Sequence, residues 1–469
     1  MNKFVQDITS RDKDFARWYT DVCLKAELMD YSDTKGFIIY RPYGYAMWEN
    51  IQDYLNKEFK RTNHENVYMP LVIPERLFQK EKDHIEGFAP EAAYLTTSEP
   101  MEEKLIVRPT SEVLFCEHYR KIITSFRDLP KKYNQWCSVL RWEKTTRPFL
   151  RGKEFLWQEG HTVHATEAEA KEETLEMLHI YEAMGKNLLA RPFVTGLKTE
   201  REKFAGAIET YSIEALMHDG KALQSGTSHY FGQNFSIPFD IKFRDSDNSD
   251  KFVYQTSWGV STRLLGAVIM VHGDDEGLSL PPYIAPIQAV IIPIQSQREA
   301  VKTAVDKIYN DLKQQGIRVH LDDTNKSPGW KFSEYEMKGV PIRIEIGPRD
   351  LENNQATISI RHNREKRQVS LDELNNLNAL LKEIHDQMYE KALNHVEANT
   401  HVVRDYQDFG KTIDKGGYIK MSVSLDAEEI IKEEHQATSR VIVDEPLLNE
   451  LCPVTKKQAT HTILFARAY

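Results

Sequence analysis

The proline-rich segment LSLPPYIAPIQ, residues 278–288, marks a boundary between two hydrophobic rhythms. Before it, short apolar runs at Leu105–Val107, Cys137–Arg141, Glu154–Glu159 and Tyr230–Asn234 alternate irregularly with helical patterns, notably Ala165–Met184. Strands and helices without a regular βαβ beat predict a mostly antiparallel sheet with helices packed on it. Beyond the boundary, QAVIIPI reads as a buried strand. The helix after it carries Val301, Val305, Ile308 and Leu312 on one face and stops near Gly316. IRVHL, a helix from about Pro328 and the strand PIRIEI follow. That alternation predicts an α/β unit of roughly a hundred residues.

The flanks are less regular. Residues 1 to about 35 read as helical, with no core of their own. A helix from Tyr45 places Met47, Ile51, Tyr54 or Leu55, and Phe59 at three- and four-residue spacing. VYMPLVIP reads as an edge strand because Pro70 interrupts it. From about residue 386 the chain is helical, then mixed, with a helix at 426–435, and it ends on the apolar strand of TILFARAY. The expected division is therefore 1–282, 283–385 and 386–469.

Bulk charge narrows the function. The formal net charge of the 469-residue chain is -10, which excludes a general polyanion-coating role, so any nucleic-acid surface is local. Cys23, Cys116, Cys137 and Cys452 lie far apart and form no CxxC pair, as expected of reduced thiols in a cytoplasmic protein. The N-terminal MNKFVQDITSRDKDFARW has no apolar signal core. The longest apolar run, Leu264–Val271, is too short to span a bilayer, so no membrane is expected.

Against that acidic background, RWEKTTRPFLRGKEFLWQEGHT (141–162) gathers Arg141, Lys144, Arg147, Arg151 and Lys153 among Glu143, Glu154 and Glu159. A guanidinium cluster binds phosphates bidentately, and the neighbouring Phe155 can stack on a nucleobase. Taken alone, such a cluster is better explained by a solvated basic hairpin between two strands. No GxxxxGK is present, so a P-loop is ruled out. RPTSE (108–112), QSGTSHYFGQNF (224–235) and TSWGVSTRLLGAVIMVHGDDEGL (256–278) are also rich in polar residues and glycine. GTSH lacks the second glycine of a nucleophile elbow. His161 and His164 have no third ligand at matching spacing, so no metal site is assigned to them.

RWE, a loop, then Arg151 and Phe155 resemble motif 2 of the class II aminoacyl-tRNA synthetases, and GVSTRLLGA, with Gly259, Arg263 and Gly266, resembles motif 3. The helix from Tyr45 and the strand ending at Pro70 resemble motif 1, which implies a homodimer. RPTSE, EKDHIEGFAPE, WQEGHT, EKFAGA, GTSH, TSWGVSTR and the terminal FARAY are similar to the prolyl-tRNA synthetases, in their archaeal and eukaryotic-type form. The implied fold is an α+β class II synthetase core with an antiparallel sheet and helices, then an α/β anticodon-binding domain, then a small α/β C-terminal domain. The implied activity is ATP-dependent attachment of L-proline to tRNA(Pro) through a prolyl-adenylate.

The resemblance also implies roles. Arg141 and Arg263 would be catalytic, Arg141 gripping the α-phosphate and the proline carboxylate, and Arg263, with Arg151, binding the outer phosphate or the other face of the adenine. Glu143, Arg151, Phe155, Gln224 and Thr227 would complete the ATP site with them, ATP arriving with Mg2+. Thr110, Glu112, Trp157, Glu159, His161, Phe204, His229, Trp258 and Ser261 would surround the proline, together with Arg141. Glu334, Glu336, Arg343 and Arg349 would read anticodon bases. SIRHNREKRQ, with Arg361, Arg364, Lys366 and Arg367 against one glutamate, reads equally as a nucleic-acid backbone contact and as a solvated hairpin. Tyr469 would tuck toward the active site.

Two features depart from the family pattern. About ninety residues separate motifs 2 and 3, too few for an editing insertion, so any removal of misattached alanine is expected to act in trans. The C-terminal segment retains only Cys452 where many relatives bind zinc through several cysteines, so no structural zinc is expected. Two other readings stand beside this one: a catalytically dead paralogue that binds RNA, and a sister synthetase for threonine, histidine or glycine. The retained Arg141, Arg151 and Arg263 weigh against the first. The aromatic pocket candidates and the acidic anchor weigh against the second.

Overall fold

The computed structural model describes residues 8–84 and 92–469. EKDHIEGFAPE therefore lies, from residue 85 onward, outside the described residues, as does the start of the N-terminal stretch.

Eleven strands form one long sheet. In chain order they are β1 (Glu65–Asn66), β2 (Lys131–Leu140), β3 (Glu154–His164), β4 (Val194–Leu197), β5 (Glu209–Leu216), β6 (Ala222–Gly232), β7 (Tyr254–Ser261), β8 (Thr400–Val402), β9 (Tyr418–Val423), β10 (Thr438–Val443) and β11 (His461–Ala466). Their spatial order is β8-β9-β11-β10-β4-β5-β6-β7-β3-β2-β1. The pairs at the two ends, β8 with β9 and β1 with β2, are parallel, and every other pair is antiparallel.

The apolar runs in the sequence mark only parts of these strands, the ends of β2 and β6 and the start of β3. β2 and β3 extend well beyond them because Asn134, Gln135, Gln158, His161 and Thr162 are buried polar residues inside the strands. Each has found partners: Gln158 donates to Asn134 Oδ1 (2.8 Å) and accepts from Tyr181 Oη (2.6 Å). A buried amide so paired costs little, but it erases the apolar alternation on which a strand is recognised.

The helix Glu167–Asn187 covers one face of the sheet with Met177, Tyr181 and Met184, all fully buried. On the same side, Gly160 of β3 lies opposite Trp258 of β7, and any Cβ there would meet the indole at about 2.1 Å. The N-terminal segment differs from expectation. Among its described residues only Phe15–Lys25 is helical, and Met29–Tyr31 forms a strand paired with Ile38–Tyr40. Trp18, Tyr19, Val22 and Cys23 of that helix join the main core, and Tyr19 Oη donates to Pro148 O (2.7 Å). Burial of side chains this size stabilises by about 1.5–3 kcal/mol each, enough to dock a helix that has no core of its own.

A second sheet contains Val319–Leu321, Ala289–Pro293, Ile342–Ile346, Gln355–Ile360 and Lys366–Ser370 in that spatial order, its first three strands parallel. The helices Glu299–Gln314, Pro328–Met337 and Leu377–Ala398 pack around it. Val301, Val305, Ile308 and Leu312 all face its core, as their spacing predicts. Among the described residues, no helix is long and apolar enough to cross a membrane.

Candidate active site

The face of the long sheet opposite Glu167–Asn187 carries a cavity of about 300 Å³. Strand periodicity of two puts Phe155, Trp157, Glu159 and His161 of β3 on that face. The register sets Ser261 against Trp157, Gly259 against Glu159 and Ser257 against His161. β6 offers Gln224, Thr227 and His229, whose numbers do not share a parity. An irregularity in the β5–β6 register skips Ser225 and brings all three onto the cavity side. Thr110 and Glu112 enter from the start of the helix Glu112–Ile122, Arg141 from the end of β2, and Arg263 from the first turn of the helix Arg263–His272.

Charge in the cavity is sharply differentiated. Ser111 Oγ (2.5 Å) and Gln135 Nε2 (2.7 Å) both donate to Glu159 Oε1, and His161 Nε2 lies 2.9 Å from Oε2. Burial alone would raise the proton affinity of Glu159, but those partners, His161 first, hold its carboxyl below the usual range. Glu112 shifts the other way: burial raises it, the nearby Glu159 charge adds to that, and His161 and Thr110 oppose it. Thr110 Oγ1 donates to Glu112 Oε2. His229 is pushed down to about 3 by burial and by His161, so it is neutral at ordinary pH. Its Nδ1 is 3.0 Å from Thr210 Oγ1, which accepts from Phe204 N (3.0 Å), and the Phe204 ring lies 4.7 Å from the imidazole.

The two arginines sit across the mouth. Arg141 Nε donates to Pro109 O (3.0 Å), and its guanidinium lies over Phe155 (5.3 Å) and Trp157 (5.6 Å). Arg263 donates to Leu150 O and to Gln224 O (both 3.1 Å). Burial pushes Arg263 down to about 10, with Arg151 and Arg141 adding to the shift. Two arginines on one cavity, each making hydrogen bonds only to backbone carbonyls, form a site that an anion completes. Glu143 and Arg151 are not in the lining; they stand on the loop between β2 and β3, where Arg147 and Arg151 pair through their backbones. The ring of Tyr469 lies beneath Arg147 (5.5 Å), and its hydroxyl donates to Asp219 Oδ2 (2.6 Å).

Trp258 borders the cavity, but its ring turns away from it. The Trp258 indole is 1% exposed and packs on Phe59 and His64 (both 5.1 Å) on the covered face of the sheet. Its neighbours Ser257 and Gly259 point into the cavity, so alternation turns the Trp258 side chain away. Ser111, Gln135, Glu202 and Thr210 were missed. Ser111 was visible inside RPTSE, whereas Thr210 and Gln135 carry no signal beyond a polar residue in a strand.

Comparison with known proteins decides the family. Residues 94–272 match the tRNA synthetase class II core domain (G, H, P, S and T), residues 288–378 an anticodon binding domain, and residues 406–469 the prolyl-tRNA synthetase C-terminal domain. A proline--tRNA ligase of Phytoplasma australiense is 62% identical over 100% of this chain and 99% of that protein; one of Clostridium novyi is 55% identical with the same coverage. The chain belongs to the prolyl-tRNA synthetases. A crystal structure of the prolyl-tRNA synthetase from Cryptosporidium parvum, complexed with L-proline and AMP, superposes with a TM-score of 0.94 at 36% identity, covering 99% of this chain and 97% of that one. A second, from the same organism with halofuginone and AMPPNP, gives the same score at 37% identity.

The synthetase's anticodon-binding domain only partly unites the four residues expected to read bases. Glu336 and Arg343 line one surface pocket with Arg361, Arg364 and Lys366. Arg343 is pinned there by Glu336 and Glu345 (both 3.0 Å) over the Phe332 ring. Glu334 instead faces the catalytic core, bonded to Lys338 (3.0 Å), which also pairs with Glu27 (2.8 Å). Arg349 is exposed on the short helix Pro348–Glu352, outside that pocket. Arg361 does not offer a free backbone contact: it is buried, with both terminal nitrogens on Asp274 (2.8 and 2.6 Å).

Proposed function

We infer that this chain activates L-proline with ATP and transfers it to tRNA(Pro), as a proline--tRNA ligase acting in protein synthesis. The observation that carries this reading is the single cavity in which two arginines face a pair of carboxylates with opposite proton affinities. A zwitterionic amino acid and a polyanionic nucleotide need that division.

In the proposed arrangement the secondary ammonium of proline rests against Glu112 and Thr110. Trp157, Phe204, His161 and the neutral His229 enclose its ring, with Ser261 at the rim. Glu159 is held rigid by its three partners and shapes the floor. Trp258 contributes only backbone. The carboxylate meets Arg141 and attacks the α-phosphorus of ATP; the bond to the bridging oxygen breaks and pyrophosphate leaves. Arg141 and Arg263 stabilise the charge that builds on the phosphoryl oxygens, while Phe155 stacks on adenine and Gln224 and Thr227 hold the nucleotide. Glu143 and Arg151 close over it from the loop. A tRNA terminal hydroxyl then attacks the adenylate carbonyl and AMP leaves. Mg2+ enters as part of the ATP substrate, since phosphate oxygens and water supply most of its ligands.

The remainder of the reading is also a proposal. Domain limits are placed at 282 and 385, the second within the helix Leu377–Ala398, whose Met388 still packs in the core of the second sheet. Glu336 and Arg343 read anticodon bases within their shared pocket, and Glu334 and Arg349 are given no part in it. The protein is a cytoplasmic homodimer, which the exposed Tyr68 in the segment resembling motif 1 supports. The C-terminal domain folds without zinc: Cys452 is fully buried and accepts from Thr455 N, and among the described residues no three histidine, cysteine or acidic side chains are grouped to hold a metal.

The test is ATP–pyrophosphate exchange with each amino acid supplied singly to protein of known metal content. Exchange with proline, and weaker exchange with alanine, is expected. Exchange with none would make the arginine pair a relic and leave an RNA-binding paralogue.

A further inference from the structure

The segment 198–208 leaves β4, crosses the cavity wall with Glu202 and Phe204, and rejoins the sheet at β5. One end of it is tied to the cavity floor by the Phe204–Thr210–His229 contacts already described. The other end is tied to the C-terminal domain. Thr199 Oγ1 donates to Glu428 Oε2 (2.7 Å), and Ser439 Oγ donates to the same oxygen (2.5 Å). All three side chains are buried, with Glu428 only 4% exposed. Next to them, Arg201 pairs with Glu429 (2.7 Å). Two residues before Thr199, Leu197 of β4 pairs with Ile442 of β10. Gly196 permits that approach, since a Cβ there would meet Ile442 O at 2.7 Å.

Thr199 also sets the shape of the segment. Its carbonyl accepts from Glu202 N (3.1 Å) and Lys203 N (3.0 Å), closing the turn that projects Glu202 and Phe204. A turn whose first residue is fixed by a buried carboxylate has few alternative orientations; freed from it, a segment of this length pivots about its ends. Positional error of about 1 Å at such a wall is enough to lose productive substrate geometry.

We propose that Glu428 of the C-terminal domain is a positioning residue for the amino-acid site, holding Thr199 so that Phe204 closes over the substrate. This rests on the proline reading of the cavity. The domain that follows the anticodon-binding domain is thereby a structural part of the substrate pocket, with hydroxyl–carboxylate bonds as its link. The nucleotide half of the cavity, formed by β3, β6 and Arg263, is tied to the same domain through backbone bonds at the start of β6, Ala222 N to Arg467 O (2.8 Å) and Tyr469 N to Ala222 O (3.1 Å), in which neither Thr199 nor Glu428 takes part.

Glu428→Gln and the near-isosteric Thr199→Val test this in the full chain by ATP–pyrophosphate exchange. Each is expected to raise the KM for proline about tenfold, with the KM for ATP within twofold of the unchanged protein. The double variant should be no worse for proline than Glu428→Gln alone, because the Thr199–Glu428 bond is already disturbed in each single variant. Hydrogen exchange of the 199–207 amides should speed up in both. If Glu428→Gln does not fold, Thr199→Val alone decides. An unaltered proline KM in a folded variant, or equal rises in both KM values, overturns the proposal. Absence of proline exchange in the unchanged protein would instead sink the reading on which it rests.

Discussion

Glu112 and Glu159 share one wall, and burial treats them differently because only Glu159 has a full set of donors. The carboxyl of Glu112 is held above the ordinary glutamate value of 4.5. A group raised in this way favours the fold while it is protonated and weakens it as pH rises through its shifted pKa. Glu112→Gln should therefore raise the thermal midpoint of the ligand-free protein at pH 7, read by calorimetry. The same change should raise the KM for proline by at least tenfold, the ~1.5–3 kcal/mol of a charged hydrogen bond. In the unchanged protein that KM should climb as pH falls through the raised pKa of Glu112, and the climb should vanish in the variant. A profile identical in both would remove Glu112 from ammonium binding. Most of these residues were legible from RPTSE and WQEGHT, because chemistry demands particular side chains there. Trp258 was not: a tryptophan between Ser257 and Gly259 reads the same whichever face it takes, and only the register against Gly160 fixes it. A methyl at Gly160 would collide with that indole, so Gly160→Ala should cost about 1–3 kcal/mol or more of stability. Chemical denaturation of the variant would measure this.

Among the strands, the junction of β4 and β10 was the least legible feature. One residue pair between strands, Leu197 with Ile442, and one isolated bridge, Ala222 with Ala468, join the catalytic sheet to the C-terminal segment, too little to leave a pattern. What secures it is a buried charge cluster. Lys198 Nζ is 3.0 Å from Glu214 Oε1, and Arg440 places two nitrogens on Glu214 Oε2 (3.0 and 2.8 Å). In the sequence these three look like ordinary solvated charges, and nothing there announces that they are buried together. Glu214 is fully buried, so Glu214→Ala leaves two cations without their partner and should destabilise by about 3–5 kcal/mol. Replacing all three with Met, Leu and Met should recover much of that loss, since an apolar trio of similar size removes the desolvation cost as well as the attraction. Urea midpoints for the two variants decide this. A single replacement as stable as the parent would mean that the cluster holds nothing together.

At the scale of the whole molecule, acid sensitivity follows from histidines rather than from carboxylates. His164 is pushed down to about 4, and His229 and His272 to about 3, with burial the leading cause in each. His164 and His229 belong to strands of the long sheet, β3 and β6, and His272 ends the helix after β7, bonded to Leu189 O (3.0 Å). All three take up protons near 6.5 once the chain unfolds, so the unfolded state binds more protons from about pH 6.5 down to about pH 3. Stability is complete above 6.5 and falls as pH drops through that window, by up to ~1.4 kcal/mol per pH unit for each histidine. Carboxylates held low by donors, such as Glu173 beside His64 and Lys132 and Asp274 beside Arg361, add to the loss only nearer pH 4. Glu112 works against it. The thermal midpoint should therefore begin to fall between pH 6.5 and 5, before most carboxylates titrate. Replacing His164, His229 and His272 together with Gln should flatten that part of the curve while lowering the midpoint at pH 7. A midpoint that stays constant from pH 7 to 5 in the unchanged protein would show that these imidazoles are not held neutral by the fold.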